Sequence, residues 1–464
     1  MKTPVAALFL SALASAPVRA GTITTVAGMG MVGYSGDGGP AASARLTYPS
    51  HVCMDGAGNL YIADTLNQRI RKVDPAGNIS TVAGDGTRAW NGDSNLPINT
   101  WFMDPFSIAV DSSGTCYLAD TNNDRVRKFG ATWVATVAGA VFGGGFGGDG
   151  GPATAAGLYN PFDVAVDGNI VYIADTYNHR IRRVDAAGNI DTVAGNGTAG
   201  YGGDGVNAKT TGLWYPYDVA LDAAHNLYIA DSYNNRIRKV DAATGVISTV
   251  AGTGAKAYNG DGVAATSASL NCPYSVTLDP AGNVYILDTD NYRIRKVDAF
   301  SGEISTVCGN GVQGFSPDGT EATDASIGTS RGLYVDAAGN VYFCDTMNQR
   351  VRKFPPVADP WARAGQGGLL IAPNCLDISG GVDHVRLRLR GEANGSCEVR
   401  IYNQAGELMG SIKVTLSSDG RGQADYSLSG IGGIRPAPGA YWAVANGGGV
   451  SGRKQFFITS RRTR

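Results

Sequence analysis

Tyr61-Ile-Ala-Asp-Thr-Leu-Asn-Gln-Arg-Ile-Arg-Lys-Val-Asp74 decides the reading of this 464-residue chain, because close copies of it recur five more times before Phe354. The Asp that closes the first half of each copy stands at 64, 120, 175, 231, 288 and 345, with separations of 56, 55, 56, 57 and 57 residues. A fixed period of this size marks supersecondary units that bury their apolar faces only against one another. Outward from the first full copy, Val52 to Met54, Leu60 to Ala63, Arg69 to Val73 and Ile79 to Ala83 are four short β-rich runs. The turns between them, Asp55-Gly-Ala-Gly-Asn59, Asp64 to Gln68 and Asp74 to Asn78, carry the Gly, Asn and Asp of hairpins. Four antiparallel strands repeated radially make a propeller blade, so the expected fold is all-β, a six-bladed β-propeller.

Strand counting predicts how the ring closes. Thr-Val-Ala-Gly occurs at Thr25, Thr81, Thr136, Thr192 and Thr249, and Thr-Val-Cys-Gly at Thr306, but none follows Phe354. The sixth blade lacks a fourth strand, and Gly21 to Gly28 is spare, so the N-terminal strand is expected to complete that blade and remove its open edge. Because strands alternate in direction, the inserts between blades share a face with turns such as Thr65 to Gln68, and any ligand site is expected on that elaborated face.

Before the repeat, Lys2, the apolar run Val5 to Ala14 and Ser15-Ala-Pro-Val-Arg-Ala20 read as a secretory signal peptide over residues 1–20. The expected product is secreted, periplasmic or on the cell surface. No later run approaches the roughly 20 apolar residues of a transmembrane segment. The 38 basic and 40 acidic residues leave a net charge of -2, which offers no field for nucleic acid. Of seven cysteines, Cys53, Cys116, Cys308 and Cys344 replace small or apolar repeat residues and read as packed thiols. Cys272 precedes a loop Pro, and Cys375 and Cys397 share the C-terminal segment, where spacing alone does not say whether they are bonded.

The repeat core Leu/Val-Tyr-Ile-Ala-Asp-Thr-x-Asn-x-Arg-Ile-Arg, preceded by Pro-x-x-Val-x-x-Asp, resembles NHL-repeat propellers over residues 21–354, and in particular bacterial exported ones with Gly-Tyr-Ser-Gly-Asp-Gly-Gly-Pro-Ala inserts. The resemblance specifies a fold; lyases, lactonases and binding scaffolds share it. Some animal NHL domains bind RNA through basic clusters, but balanced charge, export and adjacent carboxylates argue against that here. The relatives that are lyases or lactonases hold a channel metal with several His, or with Glu, Asp and Asn. This propeller has only His51, His179 and His225, in three repeat contexts, with Glu303 and Glu321, and no set of three metal ligands stands out.

Within each unit, Asp and Arg flank a four-residue turn and are expected to pair: Asp64 with Arg69, Asp120 with Arg125, Asp175 with Arg180, Asp231 with Arg236, Asp288 with Arg293 and Asp345 with Arg350. A residue needed in every blade is structural. Each insert holds an aromatic three residues before an Asp: Tyr34 and Asp37, Trp90 and Asp93, Phe146 and Asp149, Tyr201 and Asp204, Tyr258 and Asp261, Phe315 and Asp318. The aromatic is expected to anchor the loop, and the Asp to bond its own backbone. Structural calcium is the alternative for these loops, though one carboxylate falls short of the roughly six to eight oxygens that ion takes; no other cofactor is expected.

The residues after the Pro of each innermost strand vary from blade to blade: Ser50 and His51, Phe106 and Ser107, Phe162 and Asp163, Tyr217 and Asp218, Tyr274 and Ser275, and Arg331 and Gly332 after Ser330. His51, Phe106, Phe162, Asp163, Tyr217, Asp218, Tyr274 and Arg331 are therefore the candidate ligand-binding residues, of a composition that suits a sugar or peptide; packing at the channel mouth is the competing reading. Residues 355–368 read as a linker, and five short strand runs within 369–460 suggest a small β-sandwich. Ala372-Pro-Asn-Cys, Val399-Arg-Ile-Tyr-Asn-Gln-Ala-Gly-Glu-Leu-Met and Ala437-Pro-Gly-Ala-Tyr-Trp resemble FlgD-like immunoglobulin-type modules, without their usual Trp-Asp-Gly. That resemblance implies a role in cell-surface attachment, and chain parity expects the module on the face opposite the inserts. The functional expectation is an exported scaffold that binds a protein or carbohydrate through the insert-bearing face, with a channel-metal lyase or hydrolase as the alternative.

Overall fold

The computed structural model describes residues 21–355, apart from 94, 141–143 and 300, together with the backbone of seven strands in the C-terminal quarter. The leader over residues 1–20, most of the linker and Cys375 lie outside the described residues. Two compact units divide the chain between residues 357 and 358.

The first unit is a six-bladed β-propeller. Blade 1 consists of the antiparallel strands Pro49–Met54, Leu60–Asp64, Arg69–Val73 and Ile79–Ala83, in that order from the axis outward. The other blades repeat the pattern, with innermost strands Pro105–Val110, Pro161–Asp167, Pro216–Leu221, Pro273–Leu278 and Leu333–Val335. In blade 6, Thr24–Ala27 pairs with Arg350–Phe354, so both ends of the propeller sequence share one sheet. Every second strand is buried over its last five positions, as Leu60–Asp64 is throughout. Neighbouring blades cover both of its faces, which is why that run shows no polar alternation. Among the described residues, helix occurs only as three-residue 3-10 turns.

Each insert folds back over the outer edge of the blade it precedes. Gly151–Pro152, Val206–Asn207 and Val263–Ala264 each add a short fifth strand to that edge, and Pro40 bridges to Asn78 in the same way. Edge pairing of this kind satisfies main-chain groups that would otherwise invite another chain. Pro40 and Pro152 each lead into a 3-10 turn, Ala41–Ser43 and Ala153–Ala155.

A fully buried arginine fastens each insert, and it is not the one expected from the turn. Asp64 stands opposite Arg69 in register, but its carboxylate pairs with Arg71 at 3.2 Å, and Arg71 reaches on to the insert residue Asp37 at 2.6 Å. Arg127, Arg182, Arg238, Arg295 and Arg352 repeat the bridge, from Asp120, Asp175, Asp231, Asp288 and Asp345 to Asp93, Asp149, Asp204, Asp261 and Asp318. All six guanidinium side chains are 0% exposed. The expected partners, Arg69, Arg125, Arg180, Arg236, Arg293 and Arg350, sit at the strand mouth instead, donating to the carbonyl oxygens of Asn67, Asn123, Asn178, Asn234, Asn291 and Asn348. Five of the six are partly exposed there and satisfy their charge without a carboxylate, while Arg125, 4% exposed, does so against the Asn123 carbonyl and the Trp90 ring. An arginine two residues deeper cannot, and takes both aspartates.

The insert aspartates accordingly bond arginine rather than only their own backbone. Asp37 also accepts the Tyr34 hydroxyl, and Asp93 and Asp318 accept the hydroxyls of Thr136 and Thr25. The insert aromatics do anchor: Tyr34, Phe146, Tyr201, Tyr258 and Phe315 each lie under two guanidinium groups, as Phe146 does under Arg180 at 3.6 Å and Arg182 at 4.8 Å. Trp90 lies under Arg125 at 4.3 Å. Burial pushes Asp64, Asp120, Asp175, Asp231 and Asp288 up to about 6, so they are ionised at neutral pH beside their arginines.

Cys53, Cys116, Cys308 and Cys344 are buried free thiols and Cys272 is half-buried and free. The described strands of the second unit form two antiparallel sheets. One joins Gly368–Leu370, His384–Arg390 and Arg421–Ser427; the other orders Leu408–Thr415, Ser396–Tyr402, Gly439–Gly447 and Val450–Ile458.

Candidate functional site

Six innermost strands enter the channel from the insert-bearing face, and their first two variable positions form two stacked layers. The outer layer is aromatic. Phe106 meets Phe162 at 4.6 Å between ring centroids, Phe162 meets Tyr217 at 5.0 Å, Tyr217 stacks on Tyr274 at 4.3 Å, and Tyr274 returns to Phe106 at 6.0 Å. Arg331 closes the remaining side: its guanidinium lies 4.7 Å from the Tyr274 ring and 4.9 Å from Tyr48, and donates to the Tyr274 hydroxyl at 2.5 Å. Phe106 and Tyr274 are buried by these contacts, while Phe162, Tyr217 and Arg331 keep partly exposed edges. The four rings line the near end of the channel.

One residue deeper, each blade reaches the backbone of the next. His51 Nδ1 lies 3.1 Å from the Ile108 carbonyl, Ser107 Oγ accepts from the Val164 amide at 3.4 Å, and Asp163 Oδ2 accepts from the Val219 amide at 3.0 Å. Asp218 accepts from the Val276 amide in turn. Gly332 ends the series, because a Cβ there would fall 2.5 Å from the Ser50 carbonyl oxygen. Three of these side chains converge: ligating atoms of His51, Asp163 and Asp218 all lie within 4.8 Å of one another, with His51 Nε2 at 3.8 Å from Asp163 Oδ1. The sequence reading found no set of three metal ligands; the structure brings these three side chains together. These residues come from blades 1, 3 and 4, and no local spacing announces their meeting. Burial, joined by the Asp163 charge, pushes Asp218 well above the ordinary carboxylate range. Burial holds the His51 imidazole below its usual value, against the opposing pull of Asp163.

Beside this mouth, blades 3 and 4 carry an aromatic platform that the candidate residues did not include. Tyr159, Tyr177, Trp214, Tyr215 and Tyr233 form a chain of contacts: Tyr159 to Tyr177 at 5.1 Å, Tyr177 to Tyr215 at 5.1 Å, Tyr215 to Tyr233 at 5.0 Å and Tyr233 to Trp214 at 5.7 Å. It runs inward to Phe162 and Tyr217. Tyr159, Tyr177, Trp214 and Tyr233 are 38% to 42% exposed. The equivalent positions of the other blades hold Thr47, Leu66, Met103, Asn122, Asn271, Asp290, Gly328 and Met347. The platform is therefore unique to one side of the ring. A second variable position, the one after each Asp-Thr or Asp-Ser of the repeat, carried that signal in the sequence.

His179 has a structural duty here. Its Nδ1 accepts the Tyr215 amide at 3.2 Å, just as Gln68, Asp124, Asn235 and Gln349 accept the amide of the equivalent residue in the next blade. His225, with Nδ1 2.5 Å from Asp167, lies on the opposite face, in a groove of about 520 Å³ shared with Arg183, Asp191 and Lys209. The far end of the channel opens on that face as a cavity of about 580 Å³ lined by Leu221, Asp222, Leu278, Asp279, Val335 and Asp336.

Comparison with known proteins matches an NHL repeat to residues 158–184 and 213–240, the first three strands of blades 3 and 4. Teneurin-4 of Mus musculus is 30% identical over 355 residues, an alignment covering 68% of this chain and 12% of teneurin-4. Protein SUPPRESSOR OF QUENCHING 1, chloroplastic, of Arabidopsis thaliana is 29% identical over 326 residues, covering 67% of this chain and 30% of that protein. The chain thus spans well under half the length of either relative. Among solved structures, an auxiliary nutrient binding protein of Bacteroides ovatus ATCC 8483 shares the fold, with a TM-score of 0.52 at 17% identity over 73% of this chain and 77% of the other. Repeat period, blade geometry and family match agree: the chain carries NHL repeats and folds as a six-bladed β-propeller.

Proposed function

We propose that the chain is an exported bacterial scaffold that binds a carbohydrate or protein ligand through its insert-bearing face. The observation that carries this is the exposed aromatic platform of Tyr159, Tyr177, Trp214 and Tyr233, confined to blades 3 and 4 of an otherwise regular ring. A repeat departs from its own pattern where something other than the fold requires it, and flat aromatic faces suit the C–H faces of sugars and extended peptide. Arg331, Phe162 and Tyr217 bound the platform on the channel side, and Lys256, 5.9 Å from the Tyr233 ring, bounds it toward blade 5. The leader supports export, and the immunoglobulin-type resemblance of the C-terminal segment supports attachment at the cell surface. No helix among the described residues is long and apolar enough to cross a membrane. The nutrient binding named for the Bacteroides neighbour is that protein's property; at its level of identity it lends this chain a fold.

The test is a glycan and peptide array probed with the full mature chain, followed by calorimetry on each hit. Trp214→Ala and Tyr177→Ala should each weaken binding by about 30-fold, the cost of truncating an anchor aromatic. Hits unaffected by either, but lost in Lys209→Ala or His225→Ala, would move the site to the opposite face. The alternative, a lyase or hydrolase, has the His51, Asp163 and Asp218 set in its favour.

A further inference from the structure

The deeper layer of the channel contains a charge arrangement that its own hydrogen bonds do not resolve. His51 Nδ1 lies 3.1 Å from the Ile108 carbonyl oxygen and 3.5 Å from the Ile108 amide, and the shorter contact favours the tautomer protonated at Nδ1. Nε2 is then a lone-pair acceptor, and it faces another acceptor, Asp163 Oδ1, at 3.8 Å. Both Asp163 oxygens are held in place, Oδ1 by the Ser107 hydroxyl at 2.5 Å and Oδ2 by the Val219 amide at 3.0 Å. Asp163 and Asp218 are only 4% and 5% exposed. Two buried carboxylates and an imidazole lone pair thus point at one volume. The guanidinium in the layer above, Arg331, is directed at Tyr274 and the aromatic rings. A cation bound there would neutralise the carboxylates.

We propose that His51 Nε2 and the carboxylates of Asp163 and Asp218 form a buried site for one divalent transition-metal ion of the Zn2+ or Mn2+ type, which ties blade 1 to blades 3 and 4 across the channel. The donor set selects the ion: imidazole nitrogen favours first-row transition metals, whereas Ca2+ and Mg2+ take oxygen alone. Metal–ligand bonds of about 2.0–2.2 Å put the ligands of a tetrahedral ion about 3.3–3.6 Å apart, so the 4.8 Å span closes by about 1.2–1.5 Å on binding. The supports are those of a built site. The Ile108 backbone positions the His51 ring, and Ser107 and the Val219 amide orient Asp163. A tie from blade 1 to blades 3 and 4 adds a polar constraint to the aromatic contact of Phe106 with Tyr274, which joins blades 2 and 5 across the axis. This inference needs neither the ligand-binding reading nor catalysis.

The experiment uses the full mature chain, stripped with a chelator and reloaded with Zn2+ or Mn2+, with metal content by mass spectrometry and thermal unfolding read together. One ion per chain is expected, with the melting temperature rising roughly 3–6 °C at an ion concentration about 100 times Kd. Asp218→Asn and His51→Gln should unfold at the temperature of the stripped wild type and lose both the ion and the rise. His179→Asn should keep both. Loading with Co2+ supplies a second readout that does not depend on the variants, since a site of one nitrogen and two oxygens gives visible d–d absorption bands. Wild type that takes up no ion and shows no bands overturns the proposal. So does an ion that survives both substitutions, which would place it elsewhere, for example at His384.

Discussion

Replacing Arg182 with methionine, beside the same change at Arg180, tests how the inserts are held. The Arg182 side chain is 0% exposed and spans Asp175, also 0% exposed, and Asp149, 36% exposed, at 3.3 and 2.6 Å. Methionine fills much of the volume but leaves the buried Asp175 carboxyl without its counter-charge, with only the Tyr159 amide and the Asn178 side-chain amide as partners. Removing one partner of a buried ion pair costs about 3–5 kcal/mol. Asp149 regains water and contributes little to that sum, and the contact with Phe146 is worth about 1 kcal/mol more. Arg182→Met should therefore destabilise by about 4 kcal/mol. Arg180 lies at the strand mouth, donating to the Asn178 and Asn196 carbonyls at 3.1 and 2.8 Å above Phe146, and Arg180→Met should cost about 1–2 kcal/mol. Urea unfolding of the full chain followed by far-ultraviolet circular dichroism measures both. Adding Asp175→Asn to Arg182→Met should recover part of the loss, with a coupling energy above about 1 kcal/mol in the double-mutant cycle. Equal costs at the two arginines, or a larger cost at Arg180, would refute the assignment of Asp175 to Arg182.

Two further measurements follow from the same geometry. Gly195 has φ +87°, and a Cβ there would stand 2.3 Å from the His179 carbonyl oxygen, so Gly195→Ala should cost about 3 kcal/mol or more in urea unfolding; a loss under about 1 kcal/mol would show that the turn yields. For pH, the blade aspartates are raised to about 6 in the folded chain from roughly 3.9 unfolded, so the folded state binds the extra protons and their stabilisation, complete below pH 4, fades as pH rises through 6. Asp37 and Asp318 are held below 3.8 by the bonds that outweigh their burial, and their contribution is lost as pH falls below that value. Stability should therefore peak between about pH 4 and 6, and a maximum near pH 8 in urea midpoints would contradict both shifts.

The residues that sequence placed well are those whose role is set within one blade. The aromatic of each insert finds its anchor because the same arginine pair lies beneath it every 55 to 57 residues, and burial of the second strands follows from a ring in which every sheet has two neighbours. Partner choice inside the blade was less legible. Arg69 and Arg71 lie two residues apart on one strand, so their side chains share a face, and only the depth of the insert decides which of them loses water and takes Asp64.

By itself the sequence determined the number of blades, their strands and turns and the face that carries the inserts, because each depends on a period or an alternation that short-range chemistry imposes. The tertiary structure decided what depends on meeting across the ring. His51, Asp163 and Asp218 are separated by 112 and 55 residues and converge only because the innermost strands of blades 1, 3 and 4 approach a common axis. Phe106, Phe162, Tyr217 and Tyr274 carry the composition of an open binding ring, yet four rings placed around so narrow a channel pack on each other before they meet anything else. The platform of blades 3 and 4 joins residues from turns and strand starts of two blades, and its surface exists only once those blades stand side by side.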